Sequence, residues 1–212
     1  MNRSGAPLNI YFMETKVKTK IEKRKRIDKE SALNLLNDHI RDIFVAYYNA
    51  VDRFNSEINQ TMPEARTRLW AVLLNAKLTE SFIQQFPENW KKGKYGRVIF
   101  RWEEVQLLIK KLNKNSKPSY IPTLLSDSII NQEQKSLFVS DDASKEEPVL
   151  IFGYTKDSFG QITNPRIVYF NGVVEWVINQ DECALHTTFK GSSEEINVSL
   201  RDKEQEKRKK AE

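Results

Sequence analysis

The apolar residues of this 212-residue chain change their spacing part-way along the sequence. Between residues 33 and 86 they recur every three or four positions, which places them on one face of an α-helix. After about residue 136 they come in short runs separated by turn-forming residues, the pattern of β-strands. The sequence therefore predicts an α+β fold: a helical hairpin plus a third helix, followed by an antiparallel β-meander of about five strands.

The first half of the chain predicts two long helices. The first is expected to be capped by Asp28 or Ser31, whose side-chain oxygens can accept a hydrogen bond from a backbone amide. The second is expected to start within Thr-Met-Pro-Glu at 61–64, where a capping hydroxyl, an early proline and a carboxylate form a helix-start signal, and to stop before Pro87. The apolar stripe of the first helix comprises Leu33, Leu36, Ile40, Ile43, Phe44, Tyr47, Val51, Phe54 and Ile58. That of the second comprises Ala65, Leu69, Val72, Leu73, Ala76, Phe82, Ile83 and Phe86.

The third helix is predicted over residues 105–112, where apolar residues recur at spacings of three and four. Residues 98–102, just before it, alternate like a short strand, and a further short helix is expected over Leu124–Ile130. The strands of the second half are expected at 136–140, 148–155, 166–170, 173–179, 185–189 and 196–200.

The dipeptide Asn171-Gly172 is the strongest hairpin signal in the sequence. Both residues tolerate the positive φ of a two-residue type I′ turn, and that turn would place Ile167 opposite Trp176. One face of the hairpin would then be apolar and would pack on the core with Trp176 buried. This face comprises Ile167, Tyr169, Val174, Trp176 and Ile178.

The charges divide the chain into regions of opposite sign. Residues 1–115 carry 22 basic and 13 acidic side chains, whereas residues 116–200 carry six basic and twelve acidic ones. Such asymmetry indicates an anionic partner for the basic part, or attraction between the two parts. Four regions are predicted: a basic flexible arm at 1–27, a helical region at 28–115, an antiparallel β region at 116–200, and a charged flexible tail at 201–212.

The sequence argues against several classes of protein. No apolar run approaches the roughly 18–20 residues of a membrane-spanning helix, so no membrane partner is expected. One cysteine, Cys183, and two histidines, His39 and His186, provide neither an internal disulfide nor a zinc cluster, and a reducing, cytoplasmic location is expected. Phosphate-binding glycine loops, nucleophile elbows, HExxH and CxxC motifs are absent from the sequence. No cofactor or metal is therefore predicted, and whether the chain is an enzyme stays open.

The strongest functional signal is a basic and aromatic stretch over residues 90–120. Nine basic residues there accompany two acidic ones, Glu103 and Glu104. Lysine and arginine neutralise phosphates, and exposed aromatic side chains stack on unpaired bases. The predicted nucleic-acid-binding residues are Lys91, Lys92, Lys94, Tyr95, Arg97, Arg101, Lys110, Lys111 and Lys114.

The leading hypothesis is a non-catalytic intracellular protein that engages nucleic acid or another polyanion through its basic helical half, in bacterial or phage defence, counter-defence or regulation. One alternative is a small metal-independent ribonuclease toxin, for which Tyr154, Arg166, Glu175 and His186 are residues that the sheet would have to bring together. In the predicted hairpin register Arg166 and Glu175 are diagonal neighbours. The other alternative is a protein-interaction module that self-associates through the first helix, if its stripe exceeds what the chain itself covers.

Overall fold

A helical hairpin and a six-stranded sheet make up the computed structural model, which describes residues 22–135, 137–138, 145–158 and 160–183. The helices are α1 (Lys29–Gln60), α2 (Pro63–Gln85) and the short α3 (Leu124–Ile130). The strands are β1 (Trp90–Lys92), β2 (Val98–Trp102), β3 (Val105–Lys111), β4 (Val149–Lys156), β5 (Ile162–Phe170) and β6 (Val174–Asn179). They lie in the sheet in sequence order, antiparallel throughout except for the parallel β3–β4 pair. The α+β prediction is confirmed, with six described strands instead of about five.

The start and the buried face of α1 agree with the sequence. The Asp28 carboxylate accepts hydrogen bonds from the backbone amide of Ser31 at 2.9 Å and from its hydroxyl at 2.7 Å. Every residue of the predicted stripe is buried, or partly buried against the core. The chain itself covers this stripe, so the stripe is not available for self-association through α1.

The second helix starts at Pro63, but Thr61 does not cap it. The Thr61 hydroxyl instead donates to the Glu57 carbonyl at 3.1 Å and ends α1. The buried face of α2 also differs from the predicted stripe, since Leu74 and Leu78 are buried while Val72 is 69% exposed. The predicted stripe is correct at the end of the helix, where Phe82 and Phe86 are buried. It is displaced nearer the start, because apolar residues occur there on both sides of the true face.

Residues 105–112 were predicted as a helix and form β3 instead. Leu107 lies in the core beneath the helices, whereas its neighbour Leu108 lies in an apolar cluster on the opposite face of the sheet. A strand buried on both faces shows no alternation, so its apolar spacing does not separate it from a buried helix. The third helix of the described chain is α3, at Leu124–Ile130 as expected.

Both faces of the sheet are covered. α3 lies on one face, where Ile129 packs with Leu108, and Ile130 packs with Ile151. The helical hairpin lies on the other face. The sheet residues buried beneath it are Phe100, Trp102, Val105, Leu107, Leu150, Phe152, Tyr154, Ile167, Tyr169 and Ile178.

The sheet takes three strands from each side of the boundary predicted at residue 116. β3 and β4 pair from Gln106–Val149 to Lys111–Tyr154. Parallel neighbours need a crossover connection, and the segment that contains α3 provides it. The predicted strands at 148–155, 166–170 and 173–179 correspond to β4, β5 and β6. Of 136–140 only residues 137–138 are described, outside any strand, while 185–189, 196–200 and the predicted tail lie outside the described residues.

The β5–β6 hairpin forms, but its register is two residues away from the prediction. Ile167 lies opposite Ile178, and Trp176 lies opposite Tyr169. A shift of two positions preserves the side-chain alternation, so Trp176 still faces the helices. It is half-buried, and its indole N–H donates to the Ile27 carbonyl at 2.9 Å.

The turn of this hairpin accounts for the different register. Of the two central residues only Gly172 has a positive φ, +76°, whereas a type I′ turn needs two. The loop also includes Val173, and the Gly172 amide donates to the Ile130 carbonyl of α3 at 3.1 Å. A bulge follows, and it moves Val174 to the face opposite the helices.

The flexible arm was predicted to end at residue 27, but its last residues belong to the fold. Residues 22–27 lie against the rest of the chain, with Arg24 only 3% exposed and Ile27 in the core. The Arg24 guanidinium donates to the Lys135 carbonyl at 2.6 Å and to the Glu147 carbonyl at 2.9 Å. Burial lowers the pKa of Arg24 to about 10, against an attraction to Glu147 that raises it.

Candidate nucleic-acid interface

A cleft of about 630 Å³ opens where β2 and β3 separate. β2 and β3 pair with each other only from Trp102–Val105 to Phe100–Leu107. Beyond that point β2 pairs only with β1, and β3 pairs only with β4. α2 forms the remaining wall. The cleft is lined by Asn75, Ala76, Thr79, Glu80 and Ile83 of α2, by Tyr95, Gly96, Arg97, Val98 and Phe100, and by Leu108, Ile109 and Lys110 of β3.

Two cations line this cleft: Arg97, directly before β2, and Lys110, in β3. Both side chains are half-buried, and burial lowers the pKa of each. For Lys110 the positive charge of Arg97 lowers the pKa further. Within the described part of the chain, neither side chain makes an ion pair or a hydrogen bond. The cleft therefore holds positive charge that the described residues do not neutralise.

The acidic residue of the cleft, Glu80, is already engaged. Its carboxylate lies 3.8 Å from the Lys77 ammonium and 4.0 Å from the Arg53 guanidinium. Thr79 and Asn75 add neutral hydrogen-bonding groups on the same helix. Glu80 is thus already paired with a cation from α1 and one from α2. Arg97 and Lys110 make the opposite side of the cleft positively charged.

Tyr95 lies at the mouth of the cleft in an uncommon conformation. Its φ is +59° and its side chain is 90% exposed, in a short 3-10 turn at Lys94–Gly96. The turn is anchored by hydrogen bonds from the Gly93 amide to the Arg97 carbonyl at 2.7 Å and from the Lys94 amide to the Leu137 carbonyl at 2.8 Å. A bulky residue with positive φ costs on the order of 1–3 kcal/mol and is more frequent at functional sites than elsewhere.

Three of the nine predicted binding residues, Tyr95, Arg97 and Lys110, line the cleft. Lys92 lies beside it, since its Cε would be 3.8 Å from a Cβ on Gly96. Lys91 lines a separate depression of about 340 Å³. The other lysines of the set lie outside the cleft lining, Lys94 half-buried and Lys111 and Lys114 exposed.

Arg101 is placed differently from the other cations of the predicted set. Its Nε donates to Glu147 Oε2 at 2.9 Å and its Nη2 donates to Oε1 of the same carboxylate. Gln106 donates to that carboxylate as well, at 3.1 Å, and Glu147 is 9% exposed. Arg101 thus forms a structural ion pair with the buried Glu147.

The residues considered for catalysis do not converge in the described part of the chain. Tyr154 lies in the core beneath the helices, while Arg166 lies on the other face and donates to Ser116 Oγ at 3.0 Å. Glu175, predicted as its diagonal partner, instead pairs with Arg26 at 3.4 Å. His186 lies outside the described residues. Among the described residues, these side chains therefore do not form a common site that would support the ribonuclease hypothesis.

The two remaining titratable residues of interest, His39 and Cys183, do not line the cleft. His39 packs against Phe86 and Trp102, with ring centroids 6.2 Å and 5.8 Å away. Cys183 is buried, its thiol donates to the Asn179 carbonyl at 3.3 Å, and burial raises its pKa to about 11. A thiol with a raised pKa is a poor nucleophile.

The described residues include no group of three or more histidine, cysteine or acidic side chains that could hold a metal ion. None of the helices in the described part of the chain combines the length and the apolar composition that a membrane crossing needs. The chain matches no protein-family model, no curated protein and no solved structure at a significant level.

Proposed function

We propose that this is a non-catalytic binding protein that engages nucleic acid, or another polyanion, through its basic half, with the cleft between β2 and β3 at the centre of the interface. The observation that carries the proposal is the pair of half-buried cations, Arg97 and Lys110, in one cleft. Within the described residues neither has an anionic partner.

Like charges that are partly withdrawn from water oppose folding, because burial disfavours the charged form and the charges repel each other. Both costs decrease when an anion enters the cleft. A phosphate group fits this requirement, since lysine and arginine both bind phosphate oxygens. The exposed Lys92 beside the cleft extends the positive surface that a longer polyanion would follow.

The proposal is tested by fluorescence anisotropy with labelled single-stranded RNA, single-stranded DNA and duplex DNA at 50–200 mM salt. Phosphate contacts release counterions, so affinity is expected to fall steeply with salt. About five contacts predict a slope of log affinity against log salt near −4 to −5 for a duplex, and a shallower slope for a single strand.

The variant that isolates the cleft is Arg97→Met combined with Lys110→Met, which keeps the apolar stems and removes both charges. Its matched control is Arg41→Met combined with Lys117→Met, since both residues are exposed and neither lines the cleft. Because one phosphate would lie between the two cations, the cleft variant is expected to reduce the salt slope by about 1, whereas the control leaves it nearly unchanged. Absence of binding to every nucleic acid at low salt would refute nucleic-acid binding as the proposed function.

A further inference from the structure

The size of the cleft limits which part of a nucleic acid can enter it. Small-molecule sites occupy roughly 300–1,000 Å³, and the cleft falls in that range at about 630 Å³. In a duplex the bases are stacked and paired inside, so only phosphates and groove edges are presented. An unpaired nucleotide can instead place its phosphate and its base in one concave site.

The walls of the cleft match the two parts of such a nucleotide. Arg97 and Lys110 supply the charge for a phosphate. Ile83, Val98 and Ile109, all half-buried, line the same space with apolar surface, which a phosphate alone would not use. A ligand with both an anionic group and a flat, weakly polar ring system fits this combination.

Tyr95 adds a surface on which a base can stack. Asparagine and glycine are the usual residues at a positive φ, and a tyrosine that is 90% exposed gains little from packing that would offset its conformational cost. Base–aromatic stacking occurs with every base and is a general mode of single-strand recognition. An exposed ring in a cleft that also contains two cations therefore suits an unpaired base.

The open edge of β3 contributes a further feature. Alternate residues of a strand direct their backbone groups to opposite sides, and the amides of Gln106 and Leu112 donate toward β4, to Pro148 and Tyr154. By this alternation Ile109, which lines the cleft, directs its backbone groups toward β2, beyond the last β2–β3 pair at Phe100–Leu107. Hydrogen-bonding groups at this position suit the edge of a base.

We infer that the cleft binds one nucleotide of a single-stranded nucleic acid, with its phosphate between Arg97 and Lys110 and its unpaired base stacked on Tyr95. This inference rests on the proposed function and makes it more specific, because it predicts a preference for single strands over duplexes. A free nucleotide presents the same chemistry as a nucleotide within a strand.

The test measures the affinity of the full chain for a 12-nucleotide single strand and for the matching duplex, for the wild type, Tyr95→Phe and Tyr95→Asn. Phenylalanine retains the stacking ring, whereas asparagine accepts the positive φ and removes the ring. We expect Tyr95→Asn to bind the single strand about 5-fold or more weakly, Tyr95→Phe to bind it like the wild type, and duplex binding to be unaffected by either. Melting temperatures check that all three proteins fold.

Competition experiments show whether the cleft recognises a nucleotide or only its phosphate. A mononucleotide that displaces the labelled strand at lower concentration than inorganic phosphate supports joint recognition of base and phosphate, while equal competition contradicts it. If the wild type binds single strands and duplexes equally and neither Tyr95 variant changes this, the inference is wrong although the proposed function stands. If no nucleic acid binds at all, both are wrong.

Discussion

Arg101 and Glu147, 46 residues apart in the sequence, form a two-point ion pair that connects β2 to the segment entering β4. Arg24 bonds to the backbone carbonyl of Glu147, and Gln106 to its carboxylate. This group attaches the N-terminal segment, β2, β3 and the start of β4 to one another. It also removes Arg101 from the cations that the cleft presents.

Glu147→Ala is expected to destabilise the protein by about 2–3 kcal/mol. Removing one partner of a fully buried pair costs about 3–5 kcal/mol, and the partial exposure of the Arg101 side chain, 28%, reduces that figure. The control is Glu146→Ala, because Glu146 is the adjacent acidic residue and is exposed, so its loss should change stability by less than about 0.5 kcal/mol. Urea unfolding of both variants measures the difference, and equal midpoints would contradict a stabilising role for the pair.

A chain that begins at residue 27 is expected to be less stable than one that begins at residue 22. The shorter chain lacks Arg24, whose guanidinium bonds to the Lys135 and Glu147 carbonyls, and a buried acceptor without a donor costs about 1–3 kcal/mol. Thermal melts of the two chains provide the comparison. Coincident melts would show that residues 22–26 do not contribute to the fold.

Lys110→Met is expected to raise the melting temperature at pH 7 by roughly 1–2 °C while weakening nucleic-acid binding. Burial first, and the charge of Arg97 second, lower the pKa of Lys110 in the folded state, so its charged amine opposes folding at neutral pH. This cost disappears as pH rises through the lowered folded-state pKa toward the ordinary value of 10.5. The gain from the variant should therefore shrink over that alkaline window. A loss of stability in Lys110→Met at pH 7 would contradict this account. An unchanged melting temperature, equal to that of the control Lys117→Met at an exposed lysine, would contradict it as well.

Gly93→Ala is expected to destabilise the turn that carries Tyr95, by about 1–3 kcal/mol. A Cβ at Gly93 would lie 2.4 Å from Ile99 Cδ1 and 2.8 Å from the Leu137 carbonyl oxygen, and the backbone atom has little room to move. Gly96→Asn is the matched control, because a Cβ there meets only Lys92 Cε at 3.8 Å and asparagine tolerates its φ of +72°. Chemical unfolding should separate the two variants. Similar unfolding midpoints would mean that the turn accommodates a Cβ at position 93 without losing stability.

Local signals in the sequence determined much of the architecture. The Asp28 cap, the proline at position 63 and the continuous stripe from Leu33 to Ile58 predicted α1 and the start of α2, because each depends on residues within a few positions of one another. α3 and the last three described strands were predicted for the same reason. The basic stretch was also evident, and it included the three predicted residues that line the cleft.

Only the tertiary structure decided the remaining features, because each depends on a partner far away in the sequence. β3 is a strand because α1 and α2 cover one of its faces and the α3 side covers the other, and a doubly buried strand carries no alternation to recognise. The β5–β6 loop bonds to Ile130 of α3, a contact that the Asn171-Gly172 signal did not contain. Likewise, Arg97 and Arg101 are equivalent in the sequence. Glu147 neutralises Arg101 across 46 residues, whereas Arg97 faces Lys110 in a cleft that exists only because β2 and β3 separate.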